Sequence, residues 1–266
     1  MSPCHVAEFS QLRLMQACTA RANALCVRLH QDPALLTSPF LSPPPPRLVP
    51  VAAHGARSSQ RRGMEDRHVV VHDFNTLFNV QATSYYAVFD GHAGQDAAVF
   101  SAAHVHQFLA ESTYYPADPV NALKDAILRT DNYYLKKVKF ESRYQSGTTA
   151  LCALLRGRML HVAWVGDSQA VLVRNGRAEM LVDPHKPKRP DEERRIVELG
   201  GLVLFHGMWR VNGQLAVSRA IGKLYLCPLF KYLFCHKNVP NVGSLSIHSI
   251  VLFMPFVFNS STSDLI

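Results

Sequence analysis

The sequence is informative first in what it is short of. No C-x-x-C pair and no metal-finger spacing links its six cysteines, Cys4, Cys18, Cys26, Cys152, Cys227 and Cys235. That scatter gives no support to a thiolate metal centre or a small disulfide scaffold. It reads as reduced thiols in an intracellular protein, cytoplasmic or nuclear. No apolar run approaches the ~20 residues that span a bilayer; the longest, 250–258, is broken by Pro255. The N-terminus lacks a basic region followed by a continuous apolar stretch, which argues against a secretory signal. Acids are also scarce, with 20 Asp and Glu against 28 Lys and Arg, for a net charge of +8. From Leu199 to Ile266 the only acid is Asp264, so the last part of the chain offers almost no ligand for a hard cation.

What is present suits one globular domain with additional chain: 266 residues, 48% hydrophobic and 18% charged. The basic groups "KPKRP" (186–190) and "DEERR" (191–195) are interleaved with acids and read as solvated surface. Without aromatic interleaving they give no platform for nucleic acid. Residues 10–30 are amphipathic and arginine-bearing with no acid, faintly like a presequence; a regulatory helix in a 1–37 segment is the preferred reading. Residues 38–50, "SPFLSPPPPRLVP", form a proline-rich linker, because consecutive prolines favour extended polyproline geometry and exclude helix. The folded domain is expected over 51–222. Beyond it, 223–266 is an apolar, aromatic tail without sustained period.

Within 51–222, "RHVVVHDF" (67–74) and "SYYAVF" (84–89) predict strands. From Gln95 the apolar spacing turns helical through Ala98, Ala102, Val105 and Leu109. A second helix is predicted to start at Asp118 as cap and Pro119 in the first turn, burying Val120, Leu123, Ile127, Tyr134 and Val138. Strands return after "SGTTA" (146–150), with hairpin turns at Arg156-Gly157, Asn175-Gly176 and Asn212-Gly213. A short helix fits "PDEERRIVELGG", entered at Pro190-Asp191 and closed by Gly200-Gly201. This order is not a regular βαβ alternation. It predicts an α+β fold, a layered α-β-β-α sandwich of two antiparallel sheets flanked by helices, C-terminally incomplete.

Three acidic groups fall at strand ends. Asp90 and Gly91 end the strand in "AVFDGHAG", Glu65 and Asp66 precede the first strand, and Asp167 follows a strand and Gly166 in "HVAWVGDSQ". Carboxylates gathered at one end of a sheet favour Mg²⁺ or Mn²⁺ over zinc, since no Cys or His cluster accompanies them. Each acid taken singly is more often a turn or cap residue.

Read together and in order, "R-x-x-MED", "VFDGHAG", "SGTTA", "VAWVGDSQAVLVR" and "WRVNGQLAVSRAIG" resemble the metal-dependent, type 2C serine/threonine protein phosphatases. The wording is nearest to the calmodulin-kinase phosphatase, or partner-of-PIX, branch. The resemblance implies hydrolysis of phosphoserine and phosphothreonine by a water activated on two Mg²⁺ or Mn²⁺ ions, with phosphoproteins, protein kinases among them, as partners. It implies that Asp90 bridges the ions, that the Gly91 carbonyl binds one, and that Glu65 and Asp66 hold metal-bound waters. It further implies that Asp167 holds a third, weaker ion, that Arg61 grips phosphate oxygens and that His92 protonates the leaving oxygen. A hydroxide formed on two cations would need no covalent phosphoenzyme, a planar guanidinium suits phosphate, and an imidazole titrates near neutrality.

The family pattern breaks after Gly222. Lys223 stands where the family has an aspartate, and the later D-G-(apolar)-(aromatic)-D and D-N motifs do not occur. An alternative expectation is therefore a catalytically impaired, phosphatase-like binding module or a truncated product.

Overall fold

The computed structural model describes residues 63–74, 83–140, 146–175, 177–222, 235–240 and 249–253, all within the compact unit Pro50–Ile266. Arg61, the 1–37 segment and the proline-rich 38–50 segment lie outside the described residues. In chain order the elements are β1 (Arg67–Val71), β2 (Thr83–Phe89), β3 (Gly91–His92), α1 (Asp96–Glu111), α2 (Pro119–Phe140), β4 (Gly147–Thr148), β5 (Ala150–Arg156), β6 (Met159–Val165), β7 (Gln169–Arg174), β8 (Arg177–Met180), α3 (Pro190–Glu198), β9 (Val203–His206), β10 (Met208–Val211), β11 (Cys235–Val239) and β12 (Ser249–Phe253).

All strand pairings are antiparallel, as the α+β expectation requires. The main sheet runs β1-β2-β5-β6-β11 and a second runs β12-β7-β8, with β3-β4 and β9-β10 as separate pairs. The side-chain period of two gives the central strands two cores. Cys152, Leu154 and Ala163 share one core with Val105, Leu109, Leu123 and Ile127 of the helices. The alternate residues Leu151, Ala153, Val162 and Trp164 share the other with Ala170 and Leu172 of β7. Each fully buried leucine stabilises by about 1.5–3 kcal/mol, and slipping β5 by one residue would exchange its two faces. The layer order among the described residues is helices, main sheet, second sheet.

Local chemistry explains the element ends. In α2 the Asp118 carboxylate accepts from the Asn121 amide at 3.1 Å, and Leu123, Ile127, Tyr134 and Val138 are buried as the spacing predicted, with Val120 only half-buried. Asn175 and Asn212 adopt φ of 52° and 50°, the left-handed geometry that a tight hairpin demands. The β5–β6 turn falls one residue later than expected, on Gly157 and Arg158, because Arg156 pairs with Met159. The first strand stops at Val71, and 72–74 turn away. Helix α3 starts at Pro190 and ends where Gly200, at φ 81°, donates to Val197 O at 2.9 Å.

Two segments differ from a plain reading of composition. Within 223–266, β11 completes the main sheet on β6, and β12 pairs with β7 from Ser249↔Val173 to Phe253↔Gln169. The charge run 186–195 is not simply a solvated face. Glu192 is fully buried on α3, one turn from buried Ile196. Its carboxylate accepts from Ser218 Oγ at 2.6 Å, Arg195 Nη2 at 2.8 Å and Arg219 Nε at 2.8 Å, and it also receives Arg219 Nη2. Burial pushes this carboxyl up, but hydrogen bonds from Arg219, Arg195 and Ser218 outweigh burial and hold it well below the usual range.

Candidate active site

The sequence motifs meet around the end of β2. The Asp90 amide donates to Thr149 Oγ1 at 3.0 Å, and the Asp90 carbonyl accepts from the Thr149 amide at 2.9 Å and from Thr148 Oγ1 at 3.1 Å. Thr149 Oγ1, which accepts from Asp90, also shares a hydrogen bond of 2.7 Å with Ser168 Oγ. One threonine thus joins the Asp90 strand end to the turn carrying Asp167. The 218–222 segment closes the other side, where Thr148 and Ile221 exchange amide-to-carbonyl bonds of 3.0 and 2.9 Å.

Glycine is required at Gly91 and Gly166. A Cβ on Gly91 would collide with the Glu65 carbonyl oxygen, so only a bare backbone lets the Glu65 segment lie against this strand end. The Glu65 carboxylate accepts from the Gly94 amide at 2.9 Å, which fixes it beside the Asp90-Gly91-His92 turn. Asp66 lies one residue on, its carbonyl held by Arg67 Nη1 at 2.7 Å. His92 pairs with Gly147 across β3–β4 and is half-buried. Gly166 has φ 97°, and a Cβ there would lie 2.5 Å from the Thr149 methyl.

His185 is fully buried and holds the Asp167 turn. Its amide donates to Gly166 O at 2.9 Å, and its Nδ1 accepts from the Gly166 amide at 3.1 Å. That bond assigns the proton to Nε2, which points at Cys235 Sγ, 3.4 Å away on β11. Burial, reinforced by the positive charge of Arg219, pushes the imidazole down to about 3, so it stays neutral. Asp167 is buried and its carboxylate is taken by Lys186 Nζ.

Glu65, Asp90, Gly91, His92 and Asp167 are therefore brought into one connected region, with Asp66 adjoining it. Sequence reading missed Thr149, His185 and Lys186. The first lay in a quoted motif without a role, and the last was hidden in a basic run.

The site thus sits at an acidic strand end, backed by glycine and set among antiparallel sheets with helices on one face. The chain belongs to the Protein phosphatase 2C family, whose model matches residues 52–253. Human Protein phosphatase 1F is 51% identical over 181 residues, 67% of this chain and 39% of that protein. Human Protein phosphatase 1E is 45% identical over 227 residues, 83% of this chain and 29% of that protein. The chain thus spans less than half the length of these curated relatives. Among solved structures, a C. elegans sex determining protein superposes with TM-score 0.64 at 26% identity, over 70% of this chain and 47% of that one. The serine-threonine phosphatase 2C of Toxoplasma gondii gives TM-score 0.56 at 21% identity over 73% and 71%, a likeness of fold.

The family is metal-dependent, and the residues present meet that requirement only in part. The structure sets Asp90, Gly91 and the Glu65 carboxylate, which accepts from the Gly94 amide, close together at the end of β2. Among the described residues, however, no three His, Cys, Asp or Glu groups converge to hold an ion. No helix among the described residues is long and apolar enough to cross a membrane.

Proposed function

We propose that this chain is a protein serine/threonine phosphatase module of reduced competence, acting on phosphoserine- and phosphothreonine-bearing proteins inside the cell, in the cytoplasm or nucleus. The observation that carries the reading is the Asp90-Gly91-His92 strand end clamped by Thr149 and packed on Glu65, in a chain of this family. The reaction is phosphomonoester hydrolysis: water adds to phosphorus, and the serine or threonine oxygen leaves with a proton. In this reading Arg61 orients the phosphate oxygens and His92 supplies that proton. Mg²⁺ or Mn²⁺, two ions in the family's scheme, is the expected cofactor, with Asp90, Gly91, Glu65 and Asp66 as its nearer flank. No opposing carboxylate cluster occurs among the described residues, and this reading expects weak turnover.

A second reading, phosphoprotein binding without turnover, is favoured by Lys186 on Asp167. One experiment separates the two. Phosphate release and fluorescence anisotropy are measured on a labelled phosphothreonine peptide with purified 1–266 and Mn²⁺, beside Asp90→Asn. Manganese-dependent release lost in the variant supports the phosphatase. Saturable binding without release supports the binding module, and neither signal refutes both.

A further inference from the structure

We infer that Tyr134 and Asp131, on one face of α2, are positioning residues for the active site: they tie together the three chain segments that build it. The inference rests on the phosphatase reading for what the positioned groups do. The positioning itself stands on hydrogen bonds alone.

The segments are the 90–97 turn that leads from Asp90 into α1, the 146–149 stretch, and the 218–222 segment. Helix α1 starts without help from its own N-cap, since Gln95 makes no side-chain bond to the first turn. A helix start leaves its first amides without intrahelical partners. Here the Ala97 amide is met from across the fold by Ser146 Oγ at 3.0 Å. Ser146 is buried, and its hydroxyl is bonded in turn to the Tyr134 hydroxyl at 2.6 Å. The serine oxygen that caps α1 is therefore aimed by a side chain of α2.

Asp131 acts on the third segment, where its Oδ1 accepts from the Gly222 amide at 2.9 Å. The Tyr134 ring lies against the same glycine: a Cβ on Gly222, whose φ is 90°, would come 2.7 Å from it. The next residue back, Ile221, exchanges amide-to-carbonyl bonds with Thr148, and Thr148 Oγ1 donates to the Asp90 carbonyl at 3.1 Å. Both contacts of α2 thus end at the Asp90 turn. One runs through Ser146 and Ala97, the other through Gly222, Ile221 and Thr148.

Packing alone does not call for a hydroxyl at position 134. The residue belongs to the buried stripe of α2 and packs with Ala97 and Val138, a place phenylalanine would also fill. A buried hydroxyl is costly unless it is bonded. The bond to Ser146 is what tyrosine adds beyond its ring.

The test is amide hydrogen exchange by NMR on the full 1–266 chain, with circular dichroism melts beside it. Tyr134→Phe keeps the ring and removes the hydroxyl, and should speed exchange of the Ala97 amide roughly three- to tenfold, the worth of one hydrogen bond. Leu160→Val, a core change at the far end of β6, should leave that amide as in wild type even where it lowers the melt. In a Ser146→Ala background Tyr134→Phe should add nothing at Ala97, because the bond it breaks is already gone. Asp131→Ala should speed exchange of the Gly222 amide, and Asp131→Asn, which keeps an oxygen acceptor, should restore its protection. In hydrolysis of a phosphothreonine peptide with Mn²⁺, Tyr134→Phe should lower kcat several-fold while KM changes by less than about twofold.

The inference is overturned if Ala97 exchange in Tyr134→Phe stays within about twofold of wild type, or if Leu160→Val raises it equally. It is also overturned if Tyr134→Phe keeps its effect in the Ser146→Ala background, or if kcat is unchanged while wild type turns over. A wild type without turnover counts against the phosphatase reading, and the exchange results then decide the positioning by themselves.

Discussion

Replacing Glu192 by glutamine keeps the shape of the side chain and removes its charge. In the wild type this carboxylate is fully buried, and Arg219 beside it has a side chain only 5% exposed. Arg195, at 15%, completes the cluster from the same helix. Breaking a buried pair by neutralising one partner costs about 3–5 kcal/mol, because the remaining charge is left uncompensated. For a domain of this size each kcal/mol moves the midpoint by roughly 2–4 °C, so Glu192→Gln should melt roughly 6–20 °C lower by circular dichroism. Arg219→Met should lose a comparable amount, and the double variant should recover part of the sum, since the two costs share one interaction. The sign of the pH dependence follows from the depressed carboxyl. Its contribution is complete above the ordinary value of 4.5 and is lost as pH falls below that value. The wild-type advantage over Glu192→Gln should therefore shrink in acid. If Glu192→Gln melts within about 2 °C of wild type at neutral pH, the network is not stabilising in the way argued.

Three further outcomes are expected. His185, held neutral, titrates in the unfolded chain near 6.5 but in the folded chain near 3, so stability should fall by up to about 1.4 kcal/mol per pH unit below 6.5; denaturant melts of His185→Gln at several pH values should lack that slope. Gly91→Ala, which drives a Cβ into the Glu65 carbonyl, should cost about 1–3 kcal/mol by overpacking and weaken Mn²⁺ binding in calorimetry. Gly166→Ala should destabilise through both its left-handed backbone and the Thr149 methyl. Adding Thr149→Ser removes that methyl but keeps Oγ1, and thermal melts should show partial rescue, with the 2.7 Å approach to the Thr149 Cβ and a backbone cost of about 1–2 kcal/mol remaining.

The hairpins and both long helices were legible because their signals are local: Asn-Gly pairs, a capping aspartate, an apolar stripe. The Asp90 and Asp167 strand ends were legible as acids following apolar runs. The burial of Glu192 was not, since Ser218 and Arg219 come from 26 and 27 residues away and a charge run carries no mark of such partners. Lys186 was hidden for the same reason: only the hydrogen bonds between Gly166 and His185, one of them to the His185 ring, reveal that it faces Asp167. The strands at Cys235–Val239 and Ser249–Phe253 were missed because "CHKNV" alternates weakly and Pro255 obscures the second run. Their pairing is decided by the open edges of β6 and β7.

Those two edges also set a timetable. Hairpins β5–β6 and β7–β8 can form as soon as they leave the ribosome, whereas β11 and β12 follow tens of residues later in the chain. At about 5–20 residues per second, the interval between the synthesis of Arg174 and that of Phe253 is roughly 4–16 s. Throughout it, β6 and β7 present unpaired amides and carbonyls to any neighbouring chain. The yield of this protein should therefore respond to translation speed and to chaperones that shield nascent strands, even where the finished fold is stable.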